Sequence, residues 1–131
     1  MIKQRYEYDC VLACVAMATG RPYEELFDEE FCQKIEANKG CNHDEIDEAF
    51  GKAGWKRDED FVSRYMGHIQ SNEVRDLLWK RKAMIQVNSL NYEKGMHMIF
   101  WDGEEFKDPS NKQVYRWWSH VRPYYVIIFK E

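Results

Sequence analysis

Residues 4–20, QRYEYDCVLACVAMATG, pass from a polar lead-in into a run in which almost every position is apolar. An apolar set that covers every face of a helix predicts a segment enclosed by the rest of the fold. Asp9 stands where an N-cap belongs, Gly20 where a C-terminal stop belongs and Pro22 just beyond. Together they predict a helix from Cys10 to about Thr19. Pro22 suits the first turn of a second helix running through YEELFDEEFCQKI, whose early acidic residues favour its positive end. GCNHDEIDEAFGKAGW predicts a turn, then a short capped helix with Ile46, Ala49, Phe50 and Ala53 on one face, then a stop at Gly54. Residues 55–70 follow neither period, whereas SNEVRDLLWKRK, from Ser71, is amphipathic at helical spacing.

From Ala83 the period changes. AMIQV, MHMIFW, EEFKD and YYVIIF are short β-type runs separated by turn signals. Helices first and strands second is the pattern of an α+β domain with segregated layers. No internal repeat, low-complexity tract or linker divides the chain, so residues 1–131 are expected to form a single domain.

Composition narrows the classes of function. A chain of 131 residues that is 44% hydrophobic can fill one core. The net charge of −4 comes from interspersed charges, with acidic clusters at 24–30 and 44–48 and a basic one at 80–82. No nucleic-acid partner is expected from such a balance. The opening MIKQRYEYD lacks the apolar centre of a signal peptide, and no stretch approaches the roughly 18 apolar residues of a membrane helix. The expectation is a soluble, cytoplasmic protein with no membrane association. Four cysteines in that compartment stay reduced, which leaves packing, metal binding or catalysis as their uses. Cys32, Cys41 and His43 invite a metal site, Cys41 and His43 being a compact ligand pair, but no CxxC or HxxxH spacing completes one, so neither metal nor other cofactor is expected. His43 reads as part of a helix-opening turn, His68 and His120 have no evident partner, and Trp117-Trp118 reads as core.

Two local features carry chemistry. Asp102-Gly103 between β-type runs is a hairpin signal. A two-residue loop there puts Trp101 opposite Glu104, Ile99 opposite Phe106 and His97 opposite Asp108. Directly opposed side chains stand about 4.5–5.5 Å apart at Cβ, close enough for a carboxylate to fix an imidazole and favour its charged form. At the other end of the chain, a thiol at the first position of a helix meets unpaired backbone N–H groups and the positive end of the macrodipole. Cys10 occupies that position, whereas Cys14, one turn deeper, reads as a small buried hydrophobe. His97 and Asp108 are the natural base and orienting group for Cys10, and Gln4 is positioned to donate to an oxyanion beside the Cys10 N–H.

These residues resemble the bacteriocin-processing, double-glycine leader peptidases within the papain-like cysteine peptidases. The similarity lies in Gln4, five intervening residues, Cys10, then Ala13-Cys14 and Ala16-Met17, followed by His97 on an apolar strand and Asp108-Pro109 after a turn. The resemblance implies a papain-like fold with the nucleophile at the start of a central helix packed on a C-terminal antiparallel sheet. It implies Cys10 as nucleophile, His97 as general base and acid, Asp108 as the residue orienting His97, Gln4 in the oxyanion hole, and a peptide or protein as substrate. Val11 departs from the family, whose members often carry Gly there. The membrane and ATP-binding domains of transporter-linked members are not in this sequence, so a role in export is not implied, and a small member of this kind fits a bacterial or phage-encoded accessory protein. The same three groups also serve protein-glutamine deamidases and transglutaminases, and the fold also serves as a non-catalytic peptide- or protein-binding module.

Overall fold

The computed structural model describes residues 2–58, 64–65, 76–88, 96–110, 113–115 and 123–131. The apolar run forms helix α1 (Cys10–Thr19), and Gly20 closes it in the left-handed conformation with φ +71, its N–H donating to Ala16 O. Val11 through Ala16, and Ala18, are all buried. The helix is enclosed because it has no polar face to present to water.

Asp9 precedes α1 but does not cap it: its side chain accepts nothing from the helix. Donors in the preceding loop and on the next helix claim the carboxylate instead, as described below. The expected second helix is broken in two, α2 (Tyr23–Leu26) and α3 (Glu29–Ala37). Phe27 is extended, and the Asp28 side chain accepts from Phe31 N at 2.8 Å. An acid that can cap a new helix outweighed continuation of the old one. Helix α4 (His43–Gly51) starts at Asn42 with a reciprocal capping box to Glu45.

Two short strands, β1 (Lys56–Arg57) and β2 (Arg64–Tyr65), lie in the stretch whose sequence follows no period. Of the helix expected over 71–82, one turn at 76–78 is helical and 79–82 are turn and irregular, with Lys80 at positive φ; residues 71–75, together with His68, His120 and Trp117-Trp118, lie outside the described residues. The remaining strands are β3 (Ala83–Asn88), β4 (Met96–Trp101), β5 (Phe106–Asp108), β6 (Gln113–Tyr115), β7 (Pro123–Ile127) and β8 (Phe129–Lys130). The expected run YYVIIF therefore divides at Ile128: β8 leaves the main sheet and pairs with β1. The main sheet has the order β2-β7-β3-β4-β5-β6, and its paired strands are antiparallel.

Alternation along these strands builds two cores. Met84, Met98, Phe100 and Ile127 pack with α1 and the other helices, while Ile85, Ile99, Trp101, Phe106 and Val126 cluster with Leu78 on the opposite face. Trp101 Nε1 donates to Leu78 O at 2.9 Å, satisfying the indole nitrogen in that second core. The architecture is a mixed α+β domain with α1–α4 packed on one face of an antiparallel sheet and the turn at 76–78 on the other. No helix among the described residues is long and apolar enough to cross a membrane.

The hairpin between β4 and β5 departs from the expected register. Trp101 is opposite Phe106 and Phe100 opposite Lys107, so residues 102–105 form the loop. The cause is the Asp102 side chain. Its Oδ1 accepts from Glu104 N at 2.9 Å and Glu105 N at 2.8 Å, which widens the turn beyond a two-residue connection. Gly103 takes φ +106, and a Cβ there would approach Lys80 backbone at 3.2 Å.

Candidate active site

The wider loop moves Asp108 level with Ile99 and no longer opposite His97. A shift of two residues preserves the face on which each side chain lies, whereas a shift of one would have reversed it. His97 and Asp108 thus become diagonal neighbours, within reach of long polar side chains. They do meet: His97 Nε2 donates to Asp108 Oδ1 at 2.7 Å, with both residues buried. The contact expected from direct opposition survives through a different register.

Asp108 is held from a second side that the sequence reading missed. Ser110 N and Ser110 Oγ donate to the same Oδ1 at 2.9 and 2.7 Å. The signal was present as Asp108-Pro109-Ser110, an acid followed two residues on by a hydroxyl, which favours a local side-chain turn. Burial acts to raise the Asp108 carboxyl, but the bonds from His97 and Ser110 outweigh it and hold it below its ordinary value.

Cys10 is partly exposed at the start of α1, and its side chain lies close enough to His97 to act on the charge of the ring. Burial acts to lower the His97 pKa; the bond to Asp108 and the nearby Cys10 prevail and raise it from 6.5 to about 9. The imidazole is therefore cationic across the neutral range. Cys14 is fully buried on the same helix, its Sγ donating to Met98 O at 3.5 Å, and burial pushes that thiol well above its ordinary value. α1 thus carries one thiol at the site and one in the packing between helix and sheet.

Gln4 is buried behind this group, and its backbone N–H donates to Pro109 O at 2.9 Å, next in sequence to Asp108. Its side-chain nitrogen donates to Tyr6 O at 2.8 Å and Glu7 O at 3.0 Å. Both amide protons thus organise the loop before Cys10, and donation to an oxyanion requires that one be exchanged. The Cys10 backbone N–H stands in the first turn of α1, where helical geometry supplies no partner.

His43 packs on the sheet, whereas the Cys41 thiol lies within electrostatic reach of Cys10. The His43 ring packs edge-on against Tyr125 at 5.1 Å between centroids, and burial foremost pushes the Cys41 thiol up. Among the described residues no group of three His, Cys, Asp or Glu side chains is arranged to hold a metal ion. In comparisons with known proteins, no family model, curated protein or solved structure matches the chain.

Proposed function

We propose that the protein is a cysteine hydrolase of papain-like arrangement that cleaves a peptide bond. The observation that carries the reading is the buried His97–Asp108 pair, with Ser110 on the same carboxylate and Cys10 near enough to act on the charge of the ring. Cys10 Sγ bonds to the substrate carbonyl carbon, and the oxygen takes up the electron pair beside the Cys10 backbone N–H. His97, protonated in the neutral range, gives its proton to the leaving amine as the C–N bond breaks. Water then gives a proton back to His97 and its hydroxide attacks the thioester; the C–S bond breaks, the acid product leaves, and Cys10 Sγ and the protonated ring return to their starting forms. Asp108 keeps the ring oriented and stabilises its charge through both transfers.

The test is mass spectrometry of peptide and protein libraries incubated with the wild-type protein and with Cys10→Ala. Chain breaks made by the wild type alone support a peptidase. A gain of about one dalton at Gln without a break assigns the same thioester chemistry to a deamidase. No covalent change with either protein assigns the site to a binding module.

A further inference from the structure

The departure of the chain from the main sheet at Ile128 opens a fork. β7 lies beside β3 as far as Met84 opposite Ile127. The same ladder, continued, would set Lys82 opposite Phe129 and Arg81 opposite Lys130. Phe129 and Lys130 pair instead with Arg57 and Lys56 of β1. The two backbones therefore part, and a concavity of about 540 Å³ lies between them, in the size range of sites that hold ligands. Its apolar lining is Trp55, Ile128 and Phe129, and its polar lining is Arg81, Lys82, Lys130 and Asp58. Three cations thus meet one carboxylate. Asp58 stands 3.6 Å from Lys130. Arg81 and Lys82 are exposed and, among the described residues, pair with no carboxylate, whereas the adjacent Lys80 pairs with Glu104. Lys82 Nζ donates to Ala18 O at 3.4 Å, in the last turn of α1.

We propose that this fork is a docking site for an extended segment of a partner protein that carries carboxylates beside an apolar side chain. Charge complementarity sets the sign of the occupant. An excess of positive charge at one concavity, in a chain of net charge −4, attracts an anion through the local field. Arg81 can hold a carboxylate through two parallel N–H bonds, and Lys82 adds a point charge beside it. The lining sets the rest. Trp55, Ile128 and Phe129 offer apolar surface that a small hydrated anion does not use and an aliphatic side chain does. Among the described residues β8 has β1 on one side and no strand on the other, so an open strand edge borders the fork, and extended chains dock on such edges. The inference does not depend on the hydrolase reading. Lys82 meets the C-terminal end of α1 and Cys10 begins it, and a helix of 10 residues spans about 15 Å, so the fork is remote from the thiol.

The probe is a fluorescein-labelled heptapeptide of alternating glutamate and leucine, with binding to the full chain followed by anisotropy. The wild type is expected to bind it saturably, and less tightly as salt is raised. Peptides with lysine in place of glutamate, or serine in place of leucine, should bind more weakly. Arg81→Gln combined with Lys82→Gln is expected to weaken binding about tenfold or more. Lys3→Gln combined with Lys39→Gln, which removes the same charge from exposed positions elsewhere, should change it by no more than about twofold. All four side chains are exposed, so thermal melts should show both variants folded. Absence of saturable binding by the wild type, equal loss in the two charge-matched variants, or equal binding of the serine peptide overturns the proposal. So does binding of inorganic phosphate or a short oligonucleotide that depends on Arg81 and Lys82 when the peptide does not bind. A peptide that blocks labelling of Cys10 by iodoacetamide occupies the candidate active site, which also overturns it.

Discussion

The loop leading into α1 and the corner between β4 and β5 each hold a buried carboxylate, yet the two are satisfied in different ways. Asp9 gathers two backbone N–H groups and a phenol. Asp108 gathers one backbone N–H, one hydroxyl and the imidazole of His97. The first set has no donor that titrates near neutrality, so that carboxylate fixes shape. The second includes a group whose charge changes between neutral and alkaline pH, so that carboxylate is built to respond to a proton. One corner fixes geometry, and the other holds the group that titrates.

The comparison is sharpened most by removing the group where the two corners meet. Cys10→Ser is expected to lower turnover by about 10⁴-fold or more with the fold retained, because hydroxyl is a far weaker nucleophile than thiol. Cys14→Ala is the control on the same helix; it should leave turnover within about twofold and cost about 1 kcal/mol in denaturant unfolding, the scale of a small buried deletion. Next in size is Asp108→Asn. It should reduce kcat by about 10²–10⁴-fold and bring the His97 pKa back toward its ordinary value, which a pH–rate profile reads directly.

The pH dependence of stability separates the corners without a substrate. His97 is raised from 6.5 to about 9, so its contribution is full below pH 6.5 and lost as pH rises through 9. Asp108 is lowered from 3.8, so its contribution is full above that value and lost as pH falls through the depressed one. The pair therefore stabilises the fold most between about pH 4 and 6.5. Thermal melts should show a decline across pH 6.5–9 that Asp108→Asn flattens and Tyr23→Phe leaves in place. Smallest is Ser110→Ala. Asp108 keeps two of its three donors, and a fall in kcat of about threefold to tenfold is expected, with the thermal midpoint nearly unchanged.

The same contrast explains what could be read from sequence. The limits of α1, the capped start of α4 and the β3 and β4 strands depend on neighbours a few residues away, and the pattern of apolar, capping and glycine positions shows them. The break between α2 and α3 turned on Asp28 preferring to cap, which composition alone does not weigh against a continuing helical period. The β4–β5 register turned on Asp102 bonding two residues of its own loop, and the β1–β8 pair on a partner more than seventy positions distant. Cys10, His97 and Asp108 were identifiable because residue type and spacing constrain them. Ser110 was identifiable in principle from Asp-Pro-Ser. Tyr23 was not, since nothing near it in sequence shows that its hydroxyl meets Asp9. The amide of Gln4 had the expected chemistry but is directed at loop carbonyls, a choice set by three-dimensional neighbours.

The most direct test of the account is the relative reactivity of the four cysteines in the native protein. Limiting iodoacetamide at pH near 6, followed by peptide mapping, should label Cys10 well ahead of Cys14, Cys32 and Cys41, and replacement of His97 by Ala should remove that advantage. Labelling of Cys10 no faster than Cys32 or Cys41, or an advantage that persists without His97, would contradict the claim that Cys10 is a nucleophile activated by His97.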